Sequence, residues 1–97
     1  MPTYIVLGQF TDQGIRNVKE TTKRAQALKD MAKKFGATVH AVYWTVGQYD
    51  IATIVDAPDD TSVNALLLSV GALGNIRTQT LRAFSADEMG QILGRMA

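Results

Sequence analysis

The side chains of this 97-residue chain that could do chemistry are a single histidine, a single tryptophan, three tyrosines and a polar line that ends in an arginine. His40 is the one group whose ordinary pKa lies near neutrality, which makes it the candidate catalytic base or ligand. Trp44 follows two pleats along, and its flat ring could wall a conjugated molecule. Tyr49 and Asp50 flank a glycine turn. Thr78, Thr80 and Arg82 run along a later strand, where the guanidinium could anchor negative charge. Tyr4, near the start, is a further possible wall. Together Tyr4, His40, Trp44, Tyr49, Asp50, Thr80 and Arg82 form the candidate ligand-binding set, suited to a small aromatic or carboxylated molecule. Each also has a plainer use: His40 as a hydrogen-bonded sheet residue, Trp44 as interface packing, Asp50 as an acceptor for turn amides.

Several chemistries are excluded. The chain has no cysteine, so it has no disulfide, thiolate zinc site or cysteine nucleophile. No phosphate-cradling glycine loop, dinucleotide fingerprint, nucleophile elbow or metal-spaced His and carboxylate cluster is present, so no metal and no cofactor is expected. Hydrolysis, phosphoryl transfer and hydride transfer are therefore unsupported.

Length allows one domain over 1–97, with roughly 64% of the unfolded chain's surface buried on folding. No run approaches the roughly 20 apolar residues of a membrane span. The opening MPTYIVLGQF lacks the basic start of a signal peptide, so a cytoplasmic location is the expectation. Seven Lys or Arg against three acids fall between Thr11 and Phe35. They are spread around a helix without interleaved aromatics, which argues for a solvated face and against nucleic acid.

The elements that must position the candidates follow from periodicity. Thr3 to Phe10 is a short apolar run, read as a central strand. Thr11 or Asp12 caps one helix of about 20 residues, with Ile15, Val18, Thr22, Ala25, Leu28, Ala32 and Phe35 as its stripe. From Ala37 to Ala57 the period becomes two, and Gly47-Gln48 reads as a type II′ hairpin turn. Opposed residues then share a face: Val46 with Tyr49, Trp44 with Ile51, Val42 with Thr53, His40 with Val55. A bulge would undo this sorting. After Pro58 come a helix striped by Val63, Leu66, Leu67, Val70 and Leu73, a strand from Ile76 to Phe84, and a terminal helix opened by the capping-box pair Ser85 and Glu88.

Strand, helix, strand, strand, helix, strand is the split βαβ order of an α+β, ferredoxin-like domain: an antiparallel sheet with both main helices on one face. The other face poses a problem, because neither face of the hairpin is mainly polar. A second copy covers it economically, giving a dimeric α+β barrel, a homodimer or higher homo-oligomer with a cavity between the sheets. His40, Trp44, Tyr49, Thr80 and Arg82 would line that cavity if the last strand turns its threonines to the same side.

The stretches GQYDIATIVDAPDD and LGNIRTQTLRAFSADEM resemble the GYD-domain family of small bacterial proteins, with Gln48 interrupting the Gly-Tyr-Asp motif while Tyr49-Asp50 stands. The resemblance implies the dimeric α+β barrel fold and no established activity. A looser similarity is to the effector-binding domains of feast-famine regulators, without a helix-turn-helix segment. Two functions stay open. One is a non-catalytic small-molecule-binding or assembly module. The other is a cofactor-independent oxygenase or isomerase, with His40 as base, Trp44 as wall and Arg82 as anchor.

Overall fold

The computed structural model describes residues 1–97. Its strands are β1 (Thr3–Phe10), β2 (Thr38–Trp44), β3 (Ile51–Asp56) and β4 (Ile76–Ala83), and its helices are α1 (Asp12–Arg16), α2 (Thr21–Lys34), α3 (Asp60–Ala72) and α4 (Ala86–Gly94). The sheet is antiparallel throughout, in the order β2-β3-β1-β4. This is the α+β arrangement the element order predicts, with β1 in the interior and the hairpin to one side of it.

The caps at Thr11 and Ser85 are where the sequence places them. Thr11 accepts from the Gly14 amide, Asp59 from the Ser62 amide, and Ser85 exchanges bonds with Glu88 in a capping box. The amide bonds at Ser62 and Ser85 hold the Asp59 and Glu88 carboxyls below the usual carboxylate range, the expected response to donors that favour the charged form.

The long first helix is not continuous. It breaks at Asn17 into α1, a 3-10 turn over Val18–Glu20, and α2. The cause is tertiary. α1 is tied to the turn before β4, where Thr11 N donates to the Asn75 carbonyl and Thr11 Oγ1 to the Gly74 carbonyl. Gly14 sits so close that a Cβ there would come within 1.9 Å of the Asn75 carbonyl oxygen. Ile15 is left exposed, and the helix redirects so that Leu28, Met31, Ala32 and Phe35 reach the sheet.

The core lies between the sheet and the pair α2 and α3. Tyr4, Val6 and Val55 supply the sheet side; Ala32, Val63, Leu66 and Leu67 supply the helix side. From Thr3 to Gly8 in β1, half-buried residues alternate strictly with buried ones, as they must when one face is roofed and the other is not.

The hairpin departs from its expected register at one place. Trp44 pairs with Ile51 and Val42 with Thr53 as expected, but a bulge between Val39 and Ala41 brings Val39, not His40, opposite Val55. One extra residue on the bulged strand sends His40 to the other face. The two-residue turn is also corrected. The loop runs over 45–50, closed by Thr45 N to the Asp50 carbonyl, with Gly47 at a φ of 138° inside it. Its even length preserves the register of Val42 and Trp44 while freeing Tyr49 from the strand.

Beyond β4 the chain leaves the globule. Met89, Ile92, Leu93 and Met96 on and after α4 are all exposed. The radius of gyration is 14.5 Å, against about 12.5 Å for a compact chain of this length.

Candidate functional site

One face of the sheet is covered by α2 and α3. The other is uncovered, and its centre is apolar: Ile5 and Leu7 from β1, Ile54 from β3, Ala41 and Tyr43 from β2, and Leu81 from β4. The central residues shield one another, but Tyr43 is 62% and Leu81 41% exposed. A contiguous apolar surface of this kind marks an interaction site more often than a wetted face.

Polar groups close both ends of this face. At one end Asp56 Oδ1 accepts from Thr3 Oγ1 at 2.7 Å, and Asp56 Oδ2 lies 2.7 Å from His40 Nε2. These two bonds, the Thr3 bond first, hold the Asp56 carboxyl below its usual range. In the neutral tautomer that carries its proton on Nε2, His40 donates to Asp56 and keeps Nδ1 free as an acceptor, the arrangement of an oriented general base. At the other end the Tyr49 hydroxyl donates to Gln79 Oε1 at 2.5 Å. Gln9 Nε2 donates to the Gln48 carbonyl at 2.8 Å. Asp50 does accept a backbone amide, but from Phe10 at the end of β1 and not from its own turn, and its N–H donates to the Gly8 carbonyl. Asp50 thereby fastens the hairpin loop to the central strand.

The expected constellation does not assemble on one face. His40 and Tyr49 belong to the open face, at opposite ends. Trp44 lies on the helix side, its Nε1 donating to Thr21 Oγ1 at the start of α2 across 3.0 Å. Thr78, Thr80 and Arg82 pair with Gly8, Val6 and Tyr4 and so also lie on the helix side. The reason is parity. Val42, Trp44, Ile51 and Val55 face the helices as one set, and the bulge alone carries His40 away from them.

Arg82 is not the buried cation that would demand an anion. Its side chain is 34% exposed and reaches Glu88 only at 3.9 Å. Its guanidinium donates to the carbonyls of Thr3 and Ala83. It also stacks 4.5 Å from the Phe84 ring centroid and 5.7 Å from that of Tyr4. Tyr4 is buried and its hydroxyl donates to Asp60 Oδ1 at 2.5 Å. Burial first, and then the Asp60 bond, push its pKa up to about 12. Tyr4 thus anchors the start of α3 over the sheet.

Sequence reading missed Thr3, Asp56 and Gln79. An unbulged register puts Asp56 on the face opposite His40, so no signal joined them. No three His, Cys, Asp or Glu side chains lie close enough together to hold a metal ion. No helix is long and apolar enough to cross a membrane.

The chain is similar to several known proteins. Residues 4–93 match the family model described as the GYD domain. A Thermus thermophilus protein named "Glutamine synthetase and cystathionine beta-lyase binding protein" is 31% identical over 90 residues, which are 92% of this chain and 95% of that one. Among solved structures, TTHA0845 from Thermus thermophilus gives a TM-score of 0.57 at 27% identity, covering 89% of this chain and 96% of that one. A homoserine dehydrogenase from Thiobacillus denitrificans gives a TM-score of 0.53 over 84% of this chain and 17% of its own. At 16% identity this last is a likeness of fold alone.

Proposed function

The chain belongs to the GYD-domain family, and on that premise we propose that it is a non-catalytic binding module that works as a homo-oligomer, its open sheet face meeting the same face of a second copy. The observation that carries this is the uncovered surface of Ile5, Leu7, Tyr43, Ile54 and Leu81. Four strands of about seven residues span roughly 500 Å² in projection. Side-chain relief and the apolar stripe of α4 bring this toward the roughly 800 Å² per partner of a standard interface. Two such faces packed together form the dimeric α+β barrel.

The relative named for binding glutamine synthetase and cystathionine beta-lyase supports a protein partner, an enzyme, for the assembled oligomer. Native mass spectrometry of the purified protein tests the assembly. A dimer or a multiple of it is expected, and a monomer at micromolar concentration would overturn it.

A second reading is favoured by one observation, the oriented pair of His40 and Asp56. In a closed barrel this pair would border the intersheet space with Thr3, as Tyr49 and Gln79 would at the far end. A cofactor-independent oxygenase or isomerase would use His40 as its base there. Loss of turnover in His40→Ala, with the oligomer intact, would establish this reading, and unchanged turnover would remove it.

A further inference from the structure

On the side of the sheet opposite the association surface, and independent of it, lies a partly enclosed chamber. It occupies about 130 Å³ between the sheet, α2 from Thr21 to Met31 and the second half of α3. Its walls are apolar, with Leu28 and Met31 from α2, Leu67 and Val70 from α3, and Val6 and Val55 beneath them. A cavity of about 150 Å³ lined by aliphatic side chains is large enough to bind benzene. This one is of the same order, which sets the apolar part of an occupant at about one six-membered ring.

Two polar groups distinguish the chamber from an ordinary void. Thr53 lies in its floor and is only 4% exposed. No buried side-chain polar atom of the chain is both sealed off and unpaired. The Thr53 hydroxyl bonds to no other side chain and is not sealed off, so it offers a donor and an acceptor to an occupant of the chamber. At the rim stands Arg24, half-buried, its guanidinium bonded to the Gly14 carbonyl at 3.2 Å and paired with no carboxylate. Thr21 also lines the chamber, and its hydroxyl accepts from Trp44 Nε1.

We propose that this chamber binds a small monocarboxylate with a compact apolar body, of the size of benzoate, the ring lying among Leu28, Leu67 and Val70 and the carboxylate taken by Arg24 at the rim. The guanidinium offers parallel N–H donors that match a carboxylate, and no protein carboxylate has to be displaced from it. Thr53 supplies a hydrogen bond to a polar substituent at the inner end of the ring, as in a hydroxybenzoate. The class is therefore an aromatic or cyclic acid. A phosphate ester would bring about two negative charges to a rim with a single cation, and a neutral hydrocarbon would leave Arg24 without a role.

The test is a titration of the full chain with benzoate, 4-hydroxybenzoate and toluene, followed by methyl resonances of the chamber leucines and valines and by calorimetry. Saturable benzoate binding that moves the methyls of Leu28, Leu67 and Val70 is expected. Arg24→Gln should weaken benzoate by about tenfold or more, the loss of one charge-assisted hydrogen bond, and leave toluene unchanged. Thr53→Val should weaken 4-hydroxybenzoate relative to benzoate. Val70→Phe, which fills the chamber, should abolish all three. Because Arg24 and Thr53 can be changed without adding volume, the test does not depend on the filled variant folding. No saturable shift at these methyls, or benzoate affinity unaffected by Arg24→Gln, would overturn the proposal. Neither outcome bears on the oligomer, which uses the other face of the sheet.

Discussion

Trp44 Nε1 donates to Thr21 Oγ1 across 3.0 Å, and that bond ties the helix-facing side of the hairpin to the start of α2. Indole and hydroxyl are both partly wet, so removing the bond with Trp44→Phe should destabilise the fold by about 1 kcal/mol. For a chain of this size that is a fall in Tm of about 4–8 °C, measurable by thermal unfolding. The same geometry predicts that tryptophan emission stays constant when the proposed oligomer is diluted to monomers. A red shift on dissociation would place Trp44 in the interface instead.

Asp56 links stability to acid pH. Its carboxyl is held below the ordinary 3.8 by the bonds from Thr3 and His40. A depressed carboxyl contributes stability that is fully present above the unfolded value and lost as pH falls through the folded one. Urea unfolding should therefore show Asp56→Asn weaker than the parent at neutral pH, with the gap closing below the ordinary 3.8. A gap that stays constant down to that range would mean the carboxylate charge is not what holds Thr3 and His40.

Tyr4 sets the alkaline limit with the opposite sign. Burial, then the bond to Asp60, raises its pKa from 10.0 to about 12. The neutral phenol is the form the fold prefers, so its contribution is complete below the unfolded value and lost as pH rises through the folded one. Ultraviolet titration should show one phenol ionising with an apparent pKa near 12, absent in Tyr4→Phe. That variant should also lose less stability than the parent between pH 10 and 12.

Gly14 marks where α1 meets the turn before β4. Gly14→Ala would drive a methyl to 1.9 Å from the Asn75 carbonyl oxygen, and this obstacle is backbone that cannot rotate aside. The expected destabilisation is about 1–3 kcal/mol by chemical unfolding, in spite of alanine's better helix propensity. A neutral or stabilising result would show that α1 is free to shift away from Asn75.

How much of this was legible in the sequence depended on the range of the cause. Thr11 and the Ser85–Glu88 box are local, and their caps are as the spacing predicts. Trp44 opposite Ile51 and Val42 opposite Thr53 follow from alternation and an even loop. The break at Asn17 was hidden because its cause, the turn at Gly74 and Asn75, is remote in the chain. Sidedness was hidden for a different reason: both faces of the hairpin are apolar, so alternation sorted the residues without saying which set the helices would cover. The bulge at His40 then moved the one histidine to the face opposite Trp44, and Asp56 became its partner. With Trp44 and Arg82 on the helix side, a candidate site built on their sharing a face with His40 could not assemble.

The open face is the centre of the account, and its most direct test is sedimentation velocity of the parent chain beside Leu81→Asp at micromolar concentration. Leu81 is exposed on β4 and stands outside the core cluster, so the variant should fold normally by circular dichroism. A charge there would be buried without a partner in a face-to-face dimer. The parent is expected to sediment as a dimer or its multiple, and Leu81→Asp as a folded monomer. A monomeric parent, or a variant that keeps the parent's mass, would contradict the assignment of this face as the association surface.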